Sequence, residues 1–154
     1  LYYNVKDEEG RFYYEGEWKE DKREGKGIIY WRNNDVYKGD WLNDNIEGKG
    51  IFYYDKGDIY EGDWKNNKKE GKGNITFYNG NKYDGDWVDN AFEGKGIFYW
   101  LSGDKYIGEF KSGKIDGKGV IFHEKGEIEI GVYSKGIKSG KYALLSSEGK
   151  ISIK

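Results

Sequence analysis

The fold follows from one segment of the chain, YKGDWLNDNIEGKGIFYY at residues 37–54. The segment begins with Tyr-x-Gly-acid-Trp, crosses a polar stretch at residues 43–45, and continues with Gly-Lys-Gly and four apolar or aromatic residues. Both ends are rich in residue types that favour β-strands, and no helical period is present. The segment therefore predicts a β-hairpin.

The same pattern recurs every 23 residues, beginning at Tyr14, Tyr37, Tyr60, Tyr83 and Tyr106. A sixth, degenerate copy begins near residue 129, where glutamate stands in the tyrosine column. A fixed period of this length is typical of repeat proteins, in which each unit packs on its neighbours. We therefore predict a single repeat domain over residues 1–154, with a partial repeat and a longer turn at 1–13 and a C-terminal cap at 143–154.

The predicted fold class is all-β: an elongated, single-layer, twisted antiparallel sheet of stacked β-hairpins, with about 12 strands. We expect Tyr37 to lie opposite Phe52 within a hairpin, and Trp41 opposite Gly48. This register places Asp40 opposite Lys49, and it pairs the acid and the lysine of each other repeat in the same way. It also predicts pairs at the hairpin ends, Lys19–Glu24, Lys65–Glu70 and Lys111–Asp116.

Glycines on the same face as the rings have a steric role in this interpretation. Gly39, Gly48 and Gly50 all fall on the face that carries Tyr37 and Trp41. A large ring needs space, and a residue without a Cβ atom supplies it. The tyrosine and tryptophan rings are therefore expected to lie across glycines and to stack from repeat to repeat.

Composition excludes several functions. The chain has no cysteine and one histidine, so neither a thiolate metal site nor a multi-histidine site is expected. A net charge of −2 argues against binding to duplex nucleic acid. No apolar run is long enough to span a bilayer. We expect no catalytic residue, metal or cofactor, and we interpret His123 as a substituted aromatic position that faces no acid. The chain begins at Leu1, which suggests part of a longer protein.

Tyr-x-Gly-acid-Trp followed by Gly-x-Gly, with a period of 23 residues, resembles the MORN repeat family (membrane occupation and recognition nexus). Residues 60–64 and 71–73 match this pattern well, and the resemblance extends from about Tyr14 to Gly140. The resemblance implies an elongated sheet with an aromatic groove that holds partners together. The family is reused widely, in membrane tethers, in ciliary components and as an accessory segment of enzymes.

The leading functional hypothesis is a non-enzymatic scaffold that binds a peptide or helix of a partner protein. A single-layer sheet cannot cover both of its faces, and exposed aromatic stripes commonly mark interfaces. We expect the protein to be cytoplasmic, in a cytoskeletal, ciliary or peripheral membrane assembly. Self-association into a homodimer would cover the same face. The predicted groove comprises Trp41, Tyr54, Tyr60, Trp64, Phe77, Tyr83, Trp87, Trp100 and Tyr106.

Two alternatives remain at this point besides a self-assembling scaffold. One is a module that binds acidic phospholipids or tethers a membrane, since lysines gain about 1 kcal/mol each near an anionic leaflet. The other is an accessory segment of a larger enzyme, whose catalytic domain would lie elsewhere in the chain. The residues that would contact lipid are Lys22, Arg23, Lys68, Lys69 and Lys114.

Overall fold

The computed structural model describes residues 2–6, of which only the backbone is considered, and residues 12–154. Within these residues there is no helix, and the chain folds into fourteen β-strands. The prediction of stacked antiparallel hairpins is confirmed, with two more strands than expected. The longer turn predicted within residues 1–13 falls on residues 7–11, which lie outside the described residues.

The chain divides into two compact units, the N-terminal half (residues 1–78) and the C-terminal half (residues 79–154). In the N-terminal half, seven strands pair with their sequence neighbours in chain order. These strands are β1 (Tyr2–Lys6), β2 (Phe12–Lys19), β3 (Lys22–Trp31), β4 (Val36–Leu42), β5 (Asn45–Tyr53), β6 (Ile59–Lys65) and β7 (Lys68–Thr76).

The C-terminal half repeats this arrangement with seven further strands, again in chain order. The last strand pairs with its predecessor through Ala143 and Ile153. The strands are β8 (Lys82–Val88), β9 (Ala91–Tyr99), β10 (Lys105–Lys111), β11 (Lys114–Phe122), β12 (Ile128–Ser134), β13 (Ile137–Leu145) and β14 (Ile151–Ile153).

The hairpin turns have two central residues, and both adopt positive φ, as Asn43 (φ 48°) and Asp44 (φ 67°) illustrate. Two such residues form a type I′ turn, whose twist matches that of the flanking strands. Asn, Asp and Gly tolerate this conformation best, which explains why these residue types fill most of the turns. The turns between repeats are longer, and Asp35 Oδ1 in one accepts the N–H of Asp55 in the next at 2.8 Å.

The register inside each hairpin corrects our prediction. Tyr37 lies opposite Phe52 as expected, but Trp41 lies opposite Ile46 rather than Gly48. The pairing shifts between Gly39 and Asp40, where β5 holds two extra residues. A shift of this kind is a β-bulge, and it changes every pairing between the bulge and the turn. The hairpin ends consequently pair lysine with lysine, as at Lys19–Lys22, Lys65–Lys68 and Lys111–Lys114.

The first glycine of each Gly-Lys-Gly triplet creates this bulge. Gly48 has φ +66°, and a Cβ atom built on it would meet the carboxylate of Asp40. It therefore faces the acid and not the aromatic rings, which corrects its predicted face. The second glycine, Gly50, does lie under the ring of Tyr37, as predicted.

The acid–lysine pairs are also corrected. Asp40 Oδ2 accepts the backbone N–H of Lys49 at 2.9 Å, whereas the Lys49 ammonium pairs with Asp63 of the following repeat. Lys26 pairs with Asp40 in the same way. The acids expected to pair at the hairpin ends instead accept a backbone N–H from the next turn, as Glu24 does from Asn43 at 3.0 Å. The charges therefore join neighbouring repeats.

Candidate functional site

The tyrosine column forms the centre of the sheet. Tyr14, Tyr37, Tyr60, Tyr83 and Tyr106 are fully buried. The hydroxyl of Tyr37 donates to the backbone oxygen of Asp40 at 3.1 Å, and its ring lies across Gly39 and Gly50. Burial, reinforced by the nearby Asp40 carboxylate, raises the pKa of the Tyr37 phenol well above its ordinary value. These rings hold the strands together.

The tryptophan column links consecutive repeats. Trp41 meets Tyr14 of the preceding repeat edge to face, with ring centroids 5.3 Å apart, and its Nε1 donates to the Gly27 oxygen at 3.4 Å. Trp64 repeats this contact with Tyr37. Six residues of the predicted groove are thus buried in the two columns: Trp41, Tyr60, Trp64, Tyr83, Trp87 and Tyr106.

The other three predicted groove residues, Tyr54, Phe77 and Trp100, are partly exposed. In the N-terminal half, Tyr54 packs against Phe52 with ring centroids 4.3 Å apart, and Phe52 stacks on Trp31 at 5.4 Å. Burial raises the pKa of the Tyr54 hydroxyl to about 12. Trp31, Phe52 and Tyr54 form what we call the N-terminal aromatic surface.

One column of this face was not predicted from the sequence. It consists of the residues that lie opposite the tryptophans on the partner strand, between the bulge and the turn. In the N-terminal half it contains Arg23, Ile46 and Lys69. The Arg23 guanidinium lies 4.3 Å from the centre of the Trp41 ring, and its Nε donates to Asp44 Oδ1 at 3.0 Å. The 23-residue spacing placed these residues in one column, but only the bulge puts that column beside the tryptophans.

Lys69 lies among aromatic rings in the same column. Its Nζ is 5.0 Å from the ring centre of Tyr54 and 5.1 Å from that of Tyr60. Burial lowers the pKa of Lys69 to about 8, although the nearby Asp58 carboxylate opposes this shift. Arg23 and Lys69, two of the five candidate lipid contacts, therefore pack against the aromatic face. The other three, Lys22, Lys68 and Lys114, are exposed.

The C-terminal half has a pocket among its own aromatic side chains, with a volume of about 220 Å³. In the missed column, Phe92 and Ile115 stand where the N-terminal half has Ile46 and Lys69. The Phe92 ring stacks on Tyr83 with centroids 3.9 Å apart. The pocket is lined by Phe92, Phe98, Trp100, Phe110, Gly113, Lys114, Ile115 and Gly136.

His123 does face an acid, which corrects our prediction. Its Nδ1 lies 3.6 Å from Asp104 Oδ2 in the C-terminal half. The hydrogen bond from the N–H of Glu124, followed by the nearby His123, holds the pKa of the partly exposed Asp104 carboxyl below its usual value. Over the described part of the chain, no group of three or more His, Cys, Asp or Glu residues could hold a metal ion, and no helix is long and apolar enough to cross a membrane.

Hairpins that recur every 23 residues, with buried tyrosine and tryptophan rings in contact between neighbouring repeats, define a β-hairpin repeat protein. The sequence matches the MORN repeat five times, at residues 14–36, 37–59, 60–82, 83–105 and 106–126. The chain belongs to the MORN repeat family.

Solved structures with a similar fold include two domains of animal proteins. One is the TCP domain of SAS-4 (dCPAP) of Drosophila melanogaster in complex with a proline-rich motif of Ana2 (dSTIL), at TM-score 0.57 and 12% identity, over 99% of this chain and 88% of that chain. Another is the TCP10 domain of Danio rerio CPAP, at TM-score 0.60 and 10% identity, over 99% and 72%. These likenesses concern the fold. No curated protein is similar enough in sequence to count as a match.

Proposed function

We propose that this chain is a non-enzymatic scaffold that binds a peptide or helix of a partner protein on its partly exposed aromatic side chains. The observation that carries the proposal is a division among the aromatic residues. The tyrosine and tryptophan columns are buried and hold the repeats together, whereas Tyr54, Phe77 and Trp100 remain partly exposed.

Partly exposed aromatic side chains suit binding because they bury a large apolar area while losing little conformational freedom. In the N-terminal aromatic surface, Trp31 and Tyr54 are also held in place by the ring of Phe52. A surface that is already ordered pays less entropy when a partner docks. The similar TCP domain of Drosophila melanogaster, solved with a proline-rich motif, supports a peptide as the occupant.

The hydrogen bonding of the repeated Asp and Glu side chains supports a non-enzymatic role. The repeated acids accept backbone N–H groups, as Asp63 Oδ2 does from Lys72 and Asp86 Oδ2 does from Lys95. The same contact recurs in repeat after repeat, which suits a structural ladder better than a single reactive site. The partner assembly is cytoskeletal, ciliary or associated with a membrane surface in this proposal.

A binding experiment with matched variants tests the proposal. The test variant carries Tyr54→Ser, Phe77→Ser and Trp100→Ser. The control carries Tyr30→Ser, Tyr53→Ser and Tyr99→Ser. Each of these exposed tyrosines directly precedes a residue of the aromatic face in the sequence, so the control removes the same number of rings from neighbouring positions. Circular dichroism and urea denaturation establish that both are folded.

Partners recovered from cell extract by the native chain are identified by mass spectrometry, purified and titrated against all three proteins. The proposal expects at least a tenfold weaker Kd for the test variant and little change for the control. Equal affinity for all three proteins would contradict it. Loss of a native dimer in the test variant, seen by light scattering, would favour self-association instead.

A further inference from the structure

The pocket in the C-terminal half has the size of a single side chain. Its volume of about 220 Å³ is below the roughly 300–1,000 Å³ of most small-molecule sites. Its walls are apolar, with rings from Phe98, Trp100 and Phe110 and the side chain of Ile115. An apolar side chain from another molecule would therefore fit it better than a cofactor would.

The pocket is open because two turn residues have no side chain. In the N-terminal half, the second turn residue is Asp21, Asp44 or Asn67. In the C-terminal half, the corresponding positions near the pocket are Gly113 and Gly136. A Cβ atom built on either glycine would meet nothing within 4 Å.

The presence of glycine instead of asparagine at the turn also alters the hydrogen bonding of the strand beside the pocket. In the N-terminal half, Ile46 donates its N–H to Asn67 Oδ1 at 2.8 Å, and Asn67 donates its N–H to the Ile46 oxygen at 3.0 Å. Ile115 occupies the position of Ile46, and its oxygen accepts the N–H of Gly136 at 2.7 Å. Gly136, however, has no side-chain oxygen to offer to the Ile115 N–H. An acceptor brought by a ligand would complete the pattern.

Lysines outnumber acids at the two turns beside the pocket, and one of them, Lys114, lines it. Lys111, Lys114 and Lys135 are exposed at the two glycine turns. Two carboxylates lie near the same turns, since Glu93 Oε2 accepts the N–H of Ser112 and Asp116 Oδ2 accepts that of Lys135, both at 2.9 Å, so the three ammonium groups exceed them by one positive charge. Exposed lysines of one sign attract an acidic partner and favour its association.

We infer that this pocket binds an acidic peptide segment, with one large apolar side chain inserted among the rings. An oxygen of the peptide accepts the N–H of Ile115 in place of the missing asparagine, and flanking carboxylates of the peptide lie near Lys114 and its neighbours. The inference rests on the proposed function and narrows it to one pocket and one peptide chemistry.

Asparagine at the glycine turns provides the test, because the other repeats show that the turn accepts it. Gly136→Asn and Gly113→Asn would fill the opening, and Asn67 adopts φ 64° at the matching position. Gly149→Asn is the matched control, since Gly149 also has positive φ and open space around it but lies at another turn. Lys114→Glu tests the charge, with Lys125→Glu as its control at an exposed position away from the pocket.

The probe is a library of random peptides displayed on phage and selected against the full chain. Selected peptides are then synthesised and titrated by fluorescence anisotropy. We expect them to contain an aromatic or large aliphatic residue next to Asp or Glu. Their affinity should fall at least tenfold with Gly136→Asn or Lys114→Glu and less than twofold with either control.

Three outcomes would overturn the inference. Peptides that bind Gly136→Asn as tightly as the native chain, but lose affinity with Tyr54→Ser, would place binding elsewhere on the aromatic face and leave the proposed function intact. A native dimer that dissociates with Gly136→Asn would make a second copy of the chain the occupant. If no peptide is enriched, both the inference and the peptide-binding function fail.

Discussion

The ammonium group of Lys49 pairs with Asp63 of the following repeat, although Asp40 of its own repeat lies close enough to accept its backbone N–H. The lysine in the Gly-Lys-Gly triplet therefore contributes to both sides of its strand. Its backbone joins the hairpin, and its side chain joins the next hairpin. A repeat protein is held together mainly by such contacts between neighbours.

A double-mutant cycle would separate these two roles of Lys49. We expect Lys49→Met and Asp63→Asn to be coupled by about 0.5 kcal/mol in the free energy of unfolding, as is usual for an exposed ion pair. Lys49→Met and Asp40→Asn should show coupling near zero, because Asp40 contacts the Lys49 backbone. Urea denaturation measures both cycles, and a larger coupling to Asp40 would refute the register described above.

Gly39→Ala tests the space beneath the tyrosine rings. A Cβ atom at Gly39 would collide with the Tyr37 hydroxyl and the Gly50 backbone, so we expect a loss of about 2 kcal/mol or more in the free energy of unfolding. Gly131→Ala is the matched control in the sixth repeat, where glutamate replaces the tyrosine whose ring covers this glycine in the other repeats. The nearest atom to a Cβ built on Gly131 is the Tyr142 Cβ, at 3.2 Å. Thermal denaturation should show a clearly larger drop in Tm for Gly39→Ala.

The sixth repeat replaces the tyrosine with a polar network. Glu129 accepts the Tyr133 hydroxyl at 2.8 Å and the Lys138 ammonium at 2.6 Å. Burial acts to raise the pKa of the Glu129 carboxyl, but these hydrogen bonds outweigh it and hold the pKa below its usual value. Tyr142 stands where the other repeats have a glycine.

Glu129→Tyr should therefore destabilise the chain by itself, by about 2 kcal/mol, because the new ring would meet the Tyr142 backbone and side chain. Adding Tyr142→Gly should recover at least half of that loss by restoring the glycine beneath the ring. Urea denaturation of the two single variants and the double variant provides the comparison. Additive losses would show that the tyrosine and the glycine do not act as a pair.

The lowered pKa of Lys69 should make the free energy of unfolding depend on pH in the alkaline range. Its pKa is lowered to about 8 in the folded chain, against an ordinary value of about 10.4. Between these two values the unfolded chain binds more protons, so stability rises with pH. We expect the native chain to gain stability relative to Lys69→Met from pH 7 to pH 10, measured by urea denaturation. Lys65→Met, at an exposed position, is the matched control.

Much of this structure was predictable because the repeat itself specifies it. Tyrosine, glycine and tryptophan recur at one spacing, and β-forming residues surround them. The polar stretch at residues 43–45 marked the hairpin end, and in the structure Asn43 and Asp44 there adopt the positive φ of a tight turn. Glycine beneath a ring follows from volume alone, which is why the contact of Tyr37 with Gly39 and Gly50 was foreseen.

The acid–lysine pairs were not predictable in the same way. Because the repeat period is constant, pairing Lys49 with Asp40 and pairing it with Asp63 agree equally well with the sequence pattern. The choice depends on the bulge, and the bulge depends on the positive φ of Gly48. A glycine permits that conformation without requiring it. The partners of the charges are therefore a property of the folded backbone.

The candidate site divides along the same line. The sequence by itself determined that aromatic residues would line one face, since alternation in a strand places every second side chain together. Only the tertiary structure decided which rings remain accessible, because burial depends on the neighbouring strand. In the folded chain Tyr60 and Trp64 are buried, Tyr54 and Trp100 remain partly exposed, and a pocket lies beside Gly136.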